Sequence, residues 1–97
     1  MDSLQLGNVD QALSLLKSLA NKHRLMILCH LVEGELSVGQ LNQSVPLSQS
    51  ALSQHLAWLR RENLVSTRKD AQTIYYRLYS EEAKSVLQLL HQMFCAK

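Results

Sequence analysis

An amphipathic stretch over residues 48–62 is the feature that most constrains the fold of this 97-residue chain. It begins two residues after the only proline, Pro46, and Ser48 is placed to cap the first free N–H groups of a helix. Leu52, Leu56 and Leu59 fall at positions i, i+4 and i+7, which predicts that one side of the helix faces a core. The opposite side is polar, so we expect it to lie at the surface.

The polar side of this helix carries short or planar hydrogen-bonding side chains without negative charge. They are Gln49, Ser50, Ser53, Gln54 and His55, and they are followed by Arg60 and Arg61. Such side chains can hydrogen bond to base edges in the major groove of DNA, while arginines suit phosphates. A solvated amphipathic helix whose arginines favour its C-terminal dipole explains the same pattern. The helix alone therefore leaves both interpretations open.

Residues 64–79 predict a β-hairpin directly after the helix. Its first half is short and β-prone, Asp70 and Ala71 suit a turn, and its second half is rich in β-branched and aromatic residues. Arg68 and Lys69 are expected at the tip. A helix-turn-helix followed by such a hairpin is a winged helix, whose wing lies along the DNA backbone or minor groove. The hairpin therefore favours DNA recognition.

The segments before the amphipathic stretch predict three helices. A strongly apolar first helix covers 8–20, after a loose segment at 1–7, and Asn21 is placed to cap a second helix that runs to about Val32. A short third helix then begins with a capping box. Together with the amphipathic helix it predicts a helix-turn-helix over 37–62.

The two ends of the chain carry more apolar surface than a small core requires. A last helix over 80–95, capped at Ser80, has apolar residues around much of its circumference, and the first helix is similarly apolar. A domain of this size buries only about 60 to 70 percent of its unfolded surface, so a second subunit would stabilise it. We therefore expect a single mainly α domain over 1–97 whose terminal helices contact a partner.

Charge and composition narrow the class of protein. Hydrophobic residues make up 46% of the chain, which excludes a disordered tail. The net charge is only +2, but the segment 48–79 holds five positive and two negative residues, so the positive charge lies on the helix and the hairpin. Neither a signal peptide nor a membrane span is expected, which predicts a cytoplasmic protein without a standing disulfide.

The ordered motifs of the chain resemble those of the ArsR-type winged-helix repressors. The matching runs are LSQSALSQHLxxLR at 47–60, LVxxRK at 64–69 and YYxL at 75–78, where x marks a position outside the match. Within that family the chain is similar to the HlyU branch, through SQHLAWLRR at 53–61 and RKDAQT at 68–73. The chain departs from the family at Asn63 and Ala71, where glycine is more usual. Asparagine tolerates a left-handed helix stop, whereas Ala71 predicts a less tight wing tip.

The resemblance implies a homodimeric transcriptional regulator. Its dimer contacts would be made by the first and last helices, over 8–20 and 80–95, and its two recognition helices would enter successive major grooves of a pseudo-palindromic double-stranded DNA site. The predicted DNA contacts are Ser48, Gln49, Ser50, Ser53, Gln54, His55, Arg60, Arg68, Lys69 and Gln72.

Cys29 and Cys95 are the only cysteines, one in the second helix and one near the end of the last. The resemblance to the HlyU branch implies that an oxidant or reactive sulfur links them by a disulfide or polysulfide bridge, which lowers affinity for DNA. The residues alone also allow a different interpretation. Cys29 lies on the apolar stripe of its helix, where a free cysteine can be an inert core filler.

Other functions find weaker support in the sequence. The third helix lacks the cysteines of the family's metal box. His91 and Cys95 could supply half of a zinc site, to which Cys29 or His30 could contribute, but a closed site needs three or four converging ligands. No metal or cofactor is therefore expected. A metal-responsive or signal-independent repressor and a winged-helix protein-interaction module remain alternatives. An enzyme is not expected, because the sequence shows neither a nucleophile-base-acid constellation nor a phosphate loop.

Overall fold

The computed structural model describes residues 6–95, and within them it contains five α-helices and three β-strands. In chain order they are α1 (Leu6–Leu19), α2 (Lys22–His30), β1 (Leu36–Ser37), α3 (Val38–Ser44), α4 (Gln49–Arg61), β2 (Val65–Asp70), β3 (Thr73–Leu78) and α5 (Glu81–Phe94). The predicted mainly α winged helix-turn-helix with five helices is confirmed.

Side-chain caps define the start of four helices. Asn21, Ser48 and Ser80 each accept a hydrogen bond from a backbone N–H in the first turn, at 3.0–3.1 Å. Ser37 and Gln40 form both halves of the predicted capping box at the start of α3. A cap of this kind stabilises a helix by about 1 kcal/mol. All four predicted starts are therefore confirmed.

Two helix boundaries differ from those predicted. α1 begins at Leu6, so the loose segment predicted for 1–7 does not extend to its last two residues, and 1–5 lie outside the described residues. α2 ends at His30, earlier than predicted. The residues that follow form i→i−3 hydrogen bonds instead of helical ones. Gly34 ends this segment with a φ of 149°, a conformation that only glycine adopts readily.

The core lies between the inner sides of the helices and the start of the sheet. Leu52, Leu56 and Leu59 of α4 are at most 1% exposed, which confirms the predicted apolar stripe. Burial of a leucine contributes about 2 kcal/mol, so this stripe fixes the rotation of α4 about its axis. The other core residues are Leu19, Ile27, Leu28, Leu31, Leu41, Val45, Leu64, Val65, Leu78, Ala83 and Leu87.

The wing is part of a three-stranded antiparallel sheet with the order β1-β3-β2. The hairpin was predicted, but β1 was not, because a strand of two residues has no detectable alternation. Pairing of Asp70 with Thr73 places Ala71 and Gln72 in the turn, one residue later than predicted. Ala71 has a φ of 57°, and Asn63 has a φ of 60° at the end of α4. The expected left-handed stop at Asn63 is confirmed.

Candidate nucleic-acid interface

The outer side of α4 presents a row of polar side chains to solvent. Because the leucine stripe is buried, the residues on the opposite side of the helix are held outward. Hydroxyl and amide groups in this position can donate and accept hydrogen bonds from base edges. The exposed members of the predicted DNA-contacting set on this helix and its cap are Ser48, Gln49, Ser50, Ser53, Gln54 and Arg60.

A groove separates α4 from the sheet, and two of these residues line it. Ser53 and Arg60 lie on its α4 wall, and Tyr76 of β3 lies on the opposite wall. The helix and the wing therefore share one continuous surface. A nucleic acid that contacts α4 on this side would also lie beside β3 at Tyr76.

His55 lies apart from the exposed row. It is half-buried beside α2, and its ring centroid is 6.0 Å from that of His23. Burial lowers the pKa of His55 below its ordinary value, and the positive charges of Arg24 and His23 lower it further. This environment favours a neutral imidazole, which can accept or donate a hydrogen bond but does not add a positive charge to the surface.

Arg24 connects three helices and was missed by the sequence analysis. Its Nε donates to the Ser18 carbonyl at 2.8 Å and its Nη2 donates to the Lys17 carbonyl at 3.0 Å, so it caps the end of α1. Its guanidinium carbon also lies 4.2 Å from the centroid of the Trp58 ring on α4. This side chain therefore helps to fix α4 relative to α1 and α2. No local pattern could have identified these partners.

The wing places its basic residues differently from the prediction. Lys69 and Gln72 are exposed at or beside the turn. Arg68 lies further back in β2, where its guanidinium forms an ion pair with Glu35 and lies 4.5 Å from the centroid of the Tyr75 ring. The hydrogen bonds from Arg68 hold the pKa of the Glu35 carboxyl below its usual range. Arg68 is therefore already paired in the free protein.

The two cysteines are free thiols in different environments. Cys29 is half-buried in α2, whereas Cys95 is exposed immediately after the last residue of α5. Burial raises the pKa of the Cys29 thiol, and the nearby Cys95 raises it further. Within residues 6–95, no three His, Cys, Asp or Glu side chains converge as a metal site would require.

Comparison with known proteins identifies the family. A family model described as bacterial regulatory protein, arsR family, matches residues 21–67, which run from the cap of α2 into β2. The transcriptional activator HlyU of Vibrio cholerae is 58% identical over 88 residues, which are 91% of this chain and 82% of HlyU. The chain belongs to the ArsR family of bacterial regulators. The predicted resemblance to HlyU is confirmed.

Further relatives support this assignment. The biofilm growth-associated repressor of Xylella fastidiosa is 42% identical over 91% of this chain and 77% of its own length. The solved structure of reduced HlyU from Vibrio cholerae matches with a TM-score of 0.89 and 57% identity, over 93% of this chain and 95% of that chain. The ArsR-family chain is thus a transcriptional regulator, not an enzyme, and its family implies DNA binding. None of its described helices has the length and apolar character needed to cross a membrane.

Proposed function

We propose that the protein is a homodimeric, sequence-specific DNA-binding regulator whose affinity for DNA falls when Cys29 and Cys95 are oxidised or persulfidated. The observation that carries the proposal of direct DNA contact is the exposed polar row on α4, which adjoins the wing across one groove. A protein-interaction module would instead need an acidic or apolar outer face on this helix.

The residues divide by the chemistry that each can offer to a duplex. Gln49, Ser50, Ser53 and Gln54 are exposed hydrogen-bonding groups on a rigid helix, which suits contact with base edges. The phosphate contacts proposed here are Ser48, Arg60, Lys69 and Gln72. His55 would take a peripheral place because it is half-buried beside α2. Arg68 is set apart because Glu35 already binds it.

The direct test is selection of duplexes from a random pool, followed by binding to a selected duplex and to a scrambled duplex of equal composition. A sequence-specific regulator should prefer the selected duplex, and its affinity for both should fall steeply with salt because phosphate contacts release counterions. No binding to either duplex at low salt would favour the protein-interaction module.

The homodimer proposal rests on apolar surface at the two ends of the fold. Six large apolar side chains on α1 and α5 are 41–69% exposed, although monomeric proteins rarely leave such patches uncovered. A second copy of the chain would bury them and would present two α4 helices to one site. The six are Val9, Leu13, Leu16, Leu89, Met93 and Phe94.

Sedimentation equilibrium tests this assembly directly. The wild-type protein should sediment at twice its chain mass, and Leu16→Glu should shift it toward the monomer, because a buried unpaired charge is costly. Gln11→Glu changes the charge of an exposed polar residue on the same helix and is the matched control. Monomeric wild-type protein at micromolar concentration would contradict the dimer.

The thiol proposal follows from exposure. Cys95 is the accessible thiol, so its thiolate would attack peroxide first, forming a sulfenic acid as the O–O bond breaks and water leaves. The thiolate of Cys29 would then attack the Cys95 sulfur and release the oxygen as water after protonation, leaving a disulfide with two hydrogens lost. With polysulfide, the Cys95 thiolate would break an S–S bond and release a shorter polysulfide, which leaves a chain of added sulfurs on Cys95. The Cys29 thiolate would then attack one of these added sulfurs and release hydrosulfide, so that additional sulfur remains between the two residues.

Intact-mass measurement after treatment with peroxide or with polysulfide tests this proposal. A loss of two hydrogens, or added sulfurs that resist alkylation, is expected in the wild type and not in Cys29→Ser. The raised pKa of Cys29 supports the rival interpretation, in which it is an inert core filler, because burial disfavours the reactive thiolate. Reduced, unmodified protein after both treatments would establish that interpretation.

A further inference from the structure

An ion pair joins the wing to the loop that precedes β1. The Nε atom of Arg68 donates to both carboxylate oxygens of Glu35, at 2.8 and 3.0 Å, and Nη2 of Arg68 donates to the same carboxylate. This is the bidentate geometry that arginine also uses for phosphate. One edge of the guanidinium is therefore occupied by a protein carboxylate before any DNA arrives.

The Arg68 side chain is held on other sides as well. Its guanidinium lies 4.5 Å from the centroid of the Tyr75 ring, and Nη1 lies 3.9 Å from a carboxylate oxygen of Asp70. Arg68 and Tyr75 are opposite each other in the pairing of β2 with β3. Because Glu35 directly precedes β1 on the far side of β3, the Arg68 side chain crosses the middle strand. One ion pair thus connects β2 to the loop residue that directly precedes β1, across the middle strand.

On the β1 side of the sheet, few backbone hydrogen bonds connect the wing to the rest of the fold. β1 pairs with β3 through only two residues, Leu36 and Ser37. The outer half of the hairpin, by contrast, projects away from the core with Lys69, Asp70 and Thr73 all exposed. A side-chain contact between β2 and the residue that precedes β1 would therefore restrict the angle of the wing.

We propose that Glu35 is a positioning residue for the wing and that Arg68 is its anchor instead of a phosphate ligand. The pair fixes the angle at which Lys69 and Gln72 meet the DNA backbone. This inference rests on the proposed DNA-binding function. The competing explanation is that Glu35 merely occupies Arg68 until a phosphate displaces it.

Electrostatics favour the anchor over displacement. If a phosphate took Arg68, the Glu35 carboxylate would lose its main partner while remaining ionised beside the negative DNA backbone. Arg77 also lowers the pKa of the Glu35 carboxyl, which favours the ionised form. Retaining the pair avoids this repulsion and keeps all the hydrogen bonds that Glu35 and Arg68 form in the free protein.

A double-mutant cycle on DNA affinity tests the anchor. The variants are Glu35→Gln, Arg68→Gln and both together, measured by fluorescence anisotropy on the selected and the scrambled duplexes. Glu33→Gln is the matched control, because Glu33 is an exposed acid in the same loop that forms no ion pair among the described residues. It reports the effect of removing one negative charge alone.

If the pair is an anchor, each single variant should bind the selected duplex roughly 1.5- to fivefold more weakly than the appropriate reference, the range for an exposed ion pair. The reference is Glu33→Gln for the glutamate variant and the wild type for the arginine variant. The double variant should lose no more than either single variant. The salt dependence of Arg68→Gln should match that of the wild type, because no phosphate contact is lost.

Two results would overturn the anchor. In the first, Glu35→Gln binds more tightly than Glu33→Gln, and Arg68→Gln shows a salt slope reduced by about one. This result would make Arg68 a phosphate ligand. Equal affinities of Glu35→Gln and Glu33→Gln would leave Glu35 with no positioning role. If Arg68→Gln fails to fold, Arg68→Lys replaces it. The anchor then requires that Arg68→Lys bind the selected duplex more weakly than the wild type, although it retains the positive charge.

Failure of the proposed function would be separable from failure of the anchor. Wild-type protein that binds neither duplex would contradict DNA binding. Hydrogen exchange would still test the anchor in that case, since amides at 69–73 should exchange faster in Glu35→Gln than in Glu33→Gln. Equal exchange in the two variants would contradict the anchor without reference to DNA.

Discussion

The left-handed backbone at Ala71 allows a sharp prediction about stability. Ala71 has a φ of 57° in the turn of the wing, a conformation in which Cβ crowds the following carbonyl oxygen and costs roughly 1–2 kcal/mol. Glycine removes this crowding but loses more conformational entropy on folding, by roughly 0.5–1 kcal/mol. Ala71→Gly should therefore stabilise the protein by about 0.5–1 kcal/mol, which corresponds to a rise in Tm of about 2–8 °C.

The matched control makes the same chemical change where the backbone is helical. Ala57 is exposed inside α4, so Ala57→Gly should destabilise the protein by about 1 kcal/mol. Both variants and the wild type should be melted by circular dichroism at one fixed protein concentration, because dimerisation makes Tm depend on concentration. A fall in Tm of equal size for Ala71→Gly and Ala57→Gly would refute the left-handed conformation of Ala71 in solution.

Four further predictions concern α4, its contacts with α2, and the wing. Gln54→Ala should reduce the preference for the selected duplex by about 1–3 kcal/mol, measured by fluorescence anisotropy. In the same assay, Lys69→Ala should weaken binding to the selected and scrambled duplexes alike and reduce the salt slope by about one. The pKa of His55 is lowered in the folded protein, so its stabilising contribution is present above its ordinary pKa, near 6.5, and is lost as pH falls. Urea unfolding from pH 7.5 to 5 should accordingly show a shallower pH dependence for His55→Gln. Arg24→Gln removes the hydrogen bonds to α1 and the contact with Trp58. It should lower the free energy of unfolding, measured by urea titration, by about 2 kcal/mol. An unchanged free energy of unfolding would show that these contacts contribute nothing to stability.

The parts of the fold that could be predicted are those encoded by neighbouring residues. Ser48 and Ser80 cap helices because their hydroxyls reach backbone N–H groups three residues later, and the leucine stripe of α4 follows from helical spacing. The pairing of Arg68 with Glu35 joins residues 33 positions apart, so no local pattern contains it. The position of His55 likewise depends on how α2 packs on α4, which is decided by the whole core.

α2 is the element through which a change at the thiols could reach the DNA-binding side. It carries Cys29 near its end and Arg24 near its start, and Arg24 contacts Trp58 of α4. A bridge from Cys29 to Cys95 would tie α2 to the end of α5, and a nine-residue helix moves as one rigid body when its end is pulled. Movement of α2 would also move Arg24, whose contact with Trp58 helps to orient α4. The proposed thiol chemistry would then alter DNA affinity without any modified residue touching DNA, provided that α2 has two arrangements which the bridge and the duplex favour differently.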